Sequence, residues 1–382
     1  MTGRKNIREA LSSQGANAIP IVIPYEAILV RDHWKQLTDE PWWQVHSPQL
    51  HLQMRWRRSA LERLRQDFLE LPLFYTRERQ TVLRIEHRQD EPYLVDRRSG
   101  EGRLLQREPI GGSLIQSLAG RSGLEAKSRE EIDSLVPAPD PPDPRNPPSF
   151  AESGKADLAS RLVAEYGAER YPIDYLRAPL WACESLWGFE PLMYNIAAAP
   201  DLVHYACSRY LDRGRHRIRS AAAMGAAGIW IEECMMDLVS PQAYASLSLP
   251  YLRQLIESVH ASGMSAVLYF CGNPAGKLSL ILDSGCDAVG FEESKKDFRI
   301  DIGELAERID GRCTLLGNLD AVRVLERGSE NDLRTEIARQ IRAGRRNRNR
   351  FISSLGSPVT PATPLERVRL FLDLARELGE GC

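Results

Sequence analysis

From residue 228 to residue 357 one pattern recurs: a short apolar run of strand length, broken off on polar or small residues, then a stretch with helical periodicity. The runs are GIWIEEC (228–234), SAVLYFCGN (265–273), CDAVGFEE (286–293), CTLLGNLD (313–320) and RFISSLGS (350–357), with a weaker candidate, APLWACES, at 178–185. Continuous apolar runs of this length are how strands covered on both faces read. Helical patterns fill the gaps at 241–262, 275–284 and 302–309, and follow again at 331–345 and 364–378. Alternation of this kind demands right-handed crossovers and a parallel sheet. The expected fold class is therefore α/β, the sheet either open or closed into a barrel. In such a barrel the residues at the C-terminal strand ends form the catalytic face. Glu232, Glu233, Cys271, Glu292, Asn318, Asp320 and Ser357 hold those positions and are expected to converge.

The N-terminal region is less regular. Residues 1–18 read as a short helix, and AIPIVIPYE (18–26) as the candidate first barrel strand, ending on Tyr25 and Glu26. The next segment carries His33, Trp34, Trp42 and Trp43 and reads either as a substrate-facing loop or as packing onto the barrel. Residues 49–67 have helical periodicity; 81–88 and 91–108 alternate in strand fashion, with RRSGEG as the hairpin turn. This predicts an N-terminal antiparallel β insertion. The run PAPDPPDPRNPP (137–148) suits neither a helix interior nor a central strand. It reads as a connection between an N-terminal portion, residues 1–150, and the main barrel portion, residues 151–382. Both portions are expected to form one structural domain. Helical periodicity resumes at 156–166.

A formal net charge of −2 argues against a nucleic-acid partner. The basic cluster RAGRRNRNR (342–350) reads as a solvated helix C-terminus, where cations complement the dipole. No apolar run has membrane-spanning length, and the first residues lack the apolar core of a signal peptide, so a cytoplasmic protein without a membrane partner is expected. Seven cysteines without finger-like spacing fit reduced thiols.

Six segments carry a resemblance: WGFEPLM (187–193), IEECMMDLVSPQAYASLSLPYL (231–252), YFCGN (269–273), GFEES (290–294), GNLD (317–320) and LGSPVTPATPLERV (355–368). In this order they resemble the uroporphyrinogen decarboxylase superfamily, which includes the heme-pathway decarboxylase and the cobalamin-linked methyltransferases. The resemblance implies a (β/α)8 barrel of the TIM type, in agreement with the count of apolar runs. The decarboxylase branch is similar to a pattern with an arginine-rich RQAGRY-type segment and a histidine after the last barrel strand. Here that segment is missing and Ser357 holds the histidine position, so porphyrinogen decarboxylation is not expected. The methyltransferase branch is similar to His-x-Cys at the end of the strand matching SAVLYFCGN, completed by a cysteine after the last strand. Those residues hold zinc, which activates a thiol toward methylcobamide. Cys271 matches the family cysteine, whereas Tyr269 stands at the histidine position and Ser357 at the second cysteine position. Zinc held by that triad is not expected.

Other arrangements remain open. Tyr269 and Cys271 share a strand face, and adjacent glutamates face opposite ways, so one of each EE pair enters the pocket. Glu233 and Glu292 correspond to acidic family positions and are the chosen members. With Tyr269 and Cys271 they form the expected catalytic cluster; Tyr25, Glu26, His33, Asn318, Asp320 and Ser357 are the substrate-binding candidates. Cys271, Glu233 and Glu292 offer donor types that zinc accepts. Alternatively, crowded carboxylates keep a proton and act as acid, with Tyr269 donating to a leaving oxygen. A third reading leaves Cys271 a buried small hydrophobe and the glutamates hydrogen-bonded at the rim. Asn318 and Asp320 either orient substrate or satisfy their own turn. Cys234, Cys286 and Cys313 read as packing residues, and His260 as a surface residue. The leading function is a methyltransferase or demethylase moving a methyl group between a small-molecule substrate and a thiol, or a corrinoid carried by a partner protein. The alternatives are a lyase or hydrolase acting on a small organic acid, and a non-enzymatic small-molecule binding barrel.

Overall fold

Strands β1 (Ile21–Val22), β2 (Phe68–Glu70), β6 (Tyr171–Arg177), β7 (Gly228–Glu233), β8 (Ser265–Phe270), β9 (Ala288–Phe291), β10 (Thr314–Leu316) and β11 (Phe351–Ser354) form one sheet. Its order is β1-β11-β10-β9-β8-β7-β6-β2, and every pairing is parallel. The computed structural model describes residues 2–111, 126–138, 150, 152–295 and 297–380. The sheet curls into a barrel whose seam lies between β1 and β2. There Asp67 N–H donates to the Ile21 carbonyl (2.9 Å), and the side chains of Asp67 and Gln66 accept from Ile21 and Ile23 N–H at 2.8 and 2.7 Å. The edge strands thus have their polar groups satisfied without a full ladder.

Each strand is apolar on both faces for a visible reason. Phe68, Tyr171, Ile173, Trp230, Val267, Tyr269, Leu316 and Ile352 fill the barrel interior as one cluster. The alternate residues, among them Ile229, Ile231, Leu268, Phe270, Val289 and Phe351, pack outward in the larger core shared with the helices. Those helices are α4 (Asp157–Tyr166), α5 (Pro200–Met224), α6 (Leu249–Ala261), α7 (Leu278–Leu282), α8 (Ile302–Ile309), α9 (Glu330–Arg346) and α10 (Leu365–Gly379). Full burial of one such side chain contributes about 1.5–3 kcal/mol.

Helix α1 (Gly3–Leu11) closes the barrel's N-terminal end: Ile7 and Ala10 join the interior cluster, and the Thr314 hydroxyl donates to the Ala10 carbonyl (2.6 Å). Arg350 corrects the reading of 342–350 as wholly solvated. It is 8% exposed and donates to the carbonyls of Gly311, Leu11 and Asp287, while Arg345 and Arg346 do lie in the last turn of α9.

Three elements depart from expectation. Residues 178–185 are not a strand: Pro179 starts a short helix, Pro179–Ala182, followed by another, Glu184–Trp187, and the barrel strand is the preceding β6. Proline is preorganised for a first helical turn and cannot donate in a ladder. The 49–67 pattern shortens to α3 (Leu50–Arg63), and β2 follows it. The helix expected over 241–262 contains a π-helical turn, Tyr244–Ser248, before α6. The antiparallel insertion is present as β3 (Leu83–Arg88), β4 (Glu91–Asp96) and β5 (Gly102–Leu104). Most of the proline-rich run, residues 139–148, lies outside the described residues. Among the described residues no helix is long and apolar enough to cross a membrane.

Candidate active site

The strand register stacks Arg177, Glu232, Tyr269 and Gly290 side by side in one layer near the C-terminal ends of β6 to β9. Below this layer the barrel is plugged by rings. Trp230 stacks on Tyr269 (5.2 Å, 24°), and Tyr25 meets both edge-on at 6.0 and 5.7 Å. Tyr175 lies 5.7 Å from Trp230. Tyr25 reaches this place from a left-handed backbone (φ 59°) at the start of α2 (Glu26–Asp32), a conformation a bulky side chain adopts only under constraint. The rings form a floor, and above it polar groups surround the mouth.

On one side of the mouth stands Glu232, half-buried. Burial raises its pKa, against the opposing effects of Arg177 and the facing Tyr25 hydroxyl. Arg177 in turn pairs with Glu184 at 3.3 Å. Beside Glu232, the Sγ atoms of Cys234 and Cys271 are 3.1 Å apart, and both residues are half-buried. The hydrogen bond with Cys234, then burial, hold the Cys271 thiol well above its usual pKa, so it remains protonated at neutrality. Main-chain bonds carry the β7–β8 ladder past the strand ends: Cys271 N–H to the Glu233 carbonyl (2.9 Å) and Met236 N–H to the Cys271 carbonyl (3.0 Å). Gly272 turns the chain at φ 116°, where a Cβ would lie 2.5 Å from the Asp237 nitrogen, so only glycine fits.

On the other side, Lys295 Nζ sits 2.7 Å from Glu292 Oε1 and donates to the Ser357 hydroxyl (2.6 Å), which donates to Glu293 Oε2 (2.7 Å). Burial works against the lysine's charge, but Glu293 and Glu292 outweigh it and its pKa rises. Glu292 Oε2 is buried without a hydrogen-bond partner among the described residues. Cys271 lies between Glu232 and Glu292, within electrostatic reach of both.

The largest correction concerns Glu233. It is fully buried on the outer face of β7, where it accepts from the Tyr244 hydroxyl (2.7 Å) and the Ser248 hydroxyl, and burial pushes its pKa up to about 7. With Trp230 turned inward, two-residue periodicity sends Glu232 inward and Glu233 outward. The set Cys271, Glu233 and Glu292 is therefore split by the barrel wall and cannot hold zinc. Nor do the family's zinc positions fit that metal: the Tyr269 hydroxyl donates to the Gly356 carbonyl and Ser357 is engaged with Glu293 and Lys295. Among the described residues no three His, Cys, Asp or Glu side chains are grouped to hold an ion.

Other candidates have local duties. Asn318 donates to the carbonyls of Glu292 (3.2 Å) and Ile300 (3.3 Å), bracing the chain that carries Glu292. Asp320 caps the π-helical turn Ala321–Glu326 and pairs with Arg323 at 2.6 Å. His33 is buried and occupied by Gln36 and the Thr360 carbonyl. Glu26 turns into a side cavity and accepts from Gln66. His260 is exposed and paired with Asp287, as a surface residue would be. Sequence reasoning missed Cys234, Tyr175, Arg177 and Lys295. Cys234 shares the parity of Glu232, a signal that needed only the correct face of β7; Arg177 was hidden because β6 went unrecognised.

The family model described as uroporphyrinogen decarboxylase (URO-D) matches residues 130–378. Among curated relatives, the uroporphyrinogen decarboxylase of Crocosphaera subtropica is 24% identical over 66% of this chain and 69% of its own. Those of Legionella pneumophila (strain Lens) and Xanthomonas euvesicatoria are 23% and 28% identical; the match spans 58% and 48% of this chain but only 63% and 51% of theirs. Among solved structures, a methyltransferase from Methanosarcina mazei superposes with a TM-score of 0.64 at 17% identity, covering 99% of both chains, and shares the fold.

Proposed function

The chain belongs to the uroporphyrinogen decarboxylase family, and within it we propose a methyltransferase or demethylase that acts on a small methylated substrate. The observation that carries this reading is Glu232, a carboxyl biased toward its protonated form by burial, half-open to the mouth above an aromatic floor and beside the paired thiols of Cys234 and Cys271. That is the equipment of a general acid for a leaving group. The mouth cations Arg177 and Lys295 are already tied to Glu184 and Glu292, which leaves little to receive the several carboxylates of a porphyrinogen.

The substrate's apolar body rests on Tyr25, the half-buried ring that covers Trp230 and Tyr269. The methyl group passes to the carrier's nucleophile; the electron pair of the broken bond stays on the leaving heteroatom, and Glu232 gives that atom its proton. Cys234 and Cys271 line the path of the methyl group as soft, polarisable walls. The carrier is a thiol or a corrinoid borne by a partner protein; when bound, it supplies the nucleophile. The fold resembles that of the Methanosarcina mazei methyltransferase over the whole chain, which is consistent with this chemistry.

The test is methyl transfer followed by absorbance, with a methoxylated aromatic as methyl donor paired once with a small thiol and once with cob(I)alamin as acceptor. Turnover in one pair is expected, with Glu232→Gln lowering kcat about 10²-fold, the lower range for a lost general acid. A wild-type protein inert toward both pairs would overturn the reading, and carbon dioxide release from uroporphyrinogen would place the chain with the decarboxylases.

A further inference from the structure

Beside the barrel mouth a second recess of about 270 Å³ opens between α2, the turn Trp42–His46, α3 and the end of β2. Its walls are largely apolar and aromatic, with Trp34, Trp42 and Trp56 among them, and Trp34 packs on Trp56 at 5.0 Å. Three charged side chains of this lining, Glu26, Arg57 and Glu70, are deeply placed yet only half-buried, because they face the cavity. Glu26 is held by Gln66, and Glu70 accepts from the Ala27 N–H. Burial raises the pKa of both carboxyls, that of Glu70 to about 7, with Glu26 the next cause.

Arg57 is the anomaly. Its guanidinium lies 4.0 Å above the Trp56 ring, but among the described residues it makes no hydrogen bond or ion pair, and its Nε is buried without a partner. Glu26 and Glu70 favour its charge only at a distance. A desolvated guanidinium with no acceptor is costly, and its planar fork matches a carboxylate. A simple anion placed here would also confront two carboxylates. A simple amine would satisfy them and leave Arg57 unmatched. Arg31, Arg107 and Glu108 also line the cavity, Arg31 pairing with Asp32; only a ligand carrying both charges meets Glu26, Arg57 and Glu70 together, and the indole walls suit an apolar body.

We propose that this cavity binds a small zwitterion, a free amino acid with an apolar side chain, its carboxylate on Arg57 and its ammonium between Glu26 and Glu70. The apolar side chain lies among the tryptophans. This site is separate from the chemistry at the mouth and does not rest on the methyl-transfer reading.

Isothermal titration calorimetry of the whole chain with L-phenylalanine, phenethylamine and 3-phenylpropanoate tests it. Phenylalanine should bind, and each single-charge analogue at least about 10-fold more weakly, the cost of one lost charge-assisted contact. Arg57→Gln should weaken phenylalanine by a similar factor and abolish its advantage over phenethylamine; Arg57→Lys, which keeps the charge, should restore part of it. Glu70→Gln should abolish its advantage over 3-phenylpropanoate. Absence of phenylalanine binding at millimolar concentration, equal binding of the three probes, or an Arg57→Gln protein of unchanged affinity and normal melting would overturn the proposal.

Discussion

The two faces of strand β7 present neighbouring glutamates with opposite fates. Glu232, on the inner face, is half-open to the barrel mouth, opposed by Tyr25 and Arg177. Glu233, on the outer face, is sealed between strand and helix and held by Tyr244 and Ser248. The same side chain is the proposed reagent on one face and a structural tie on the other. What separates them is access: a group that can change partners is available for chemistry, and a group with every partner fixed can only stabilise.

The contrast breaks most visibly at the outer face. Glu233→Ala leaves a cavity and strands two buried hydroxyls, so it should destabilise the fold by about 3 kcal/mol in urea unfolding. The protein that remains folded should keep its kcat; a kcat loss with normal stability would reverse the assignment of the two faces. Glu232→Gln should do the opposite, lowering turnover about 10²-fold while shifting stability by less than about 1 kcal/mol.

A pH effect sharpens the contrast. Glu233 has its pKa raised from 4.5 to about 7 on folding, so between those values the folded chain holds a proton that the unfolded chain has lost. Its contribution is fully present below the unfolded pKa and fades as pH rises through about 7. Unfolding free energies measured across pH 5 to 8 should therefore decline less steeply in Glu233→Gln than in the wild type. An identical slope in both would mean that the buried carboxyl is not protonated.

The smallest effect belongs to Tyr269. Its hydroxyl is committed to the Gly356 carbonyl, so Tyr269→Phe should cost about 1 kcal/mol of stability and leave kcat within a few-fold. A hundredfold loss in kcat would return the phenol to the chemistry.

Much of this architecture was legible in the sequence. Apolar runs with polar ends announced the barrel and located Cys271, Glu292 and Ser357 near its mouth, because strand periodicity and the alternation with helices are local properties. Tyr269 and Cys271 could be placed on one face for the same reason. Their neighbours across the barrel could not. Lys295 has no regular element to reveal its direction, and Arg177 ends a strand that contains Pro172 and reads weakly on its own.

The sequence by itself determined the alternation of strand and helix from β7 onward, the parallel sheet and the strand ends on which polar groups fall. Only the tertiary structure decided which face of each strand looks inward, and with it the exchange of Glu232 for Glu233, the approach of Cys234 to Cys271, and the partners that tie up Tyr269 and Ser357. The physical reason is that a strand covered on both faces is apolar on both, so its own residues carry no mark of inside or outside. The choice falls to contacts remote in sequence: Trp230 stacking on Tyr269 within the barrel, and Tyr244 and Ser248 waiting outside it.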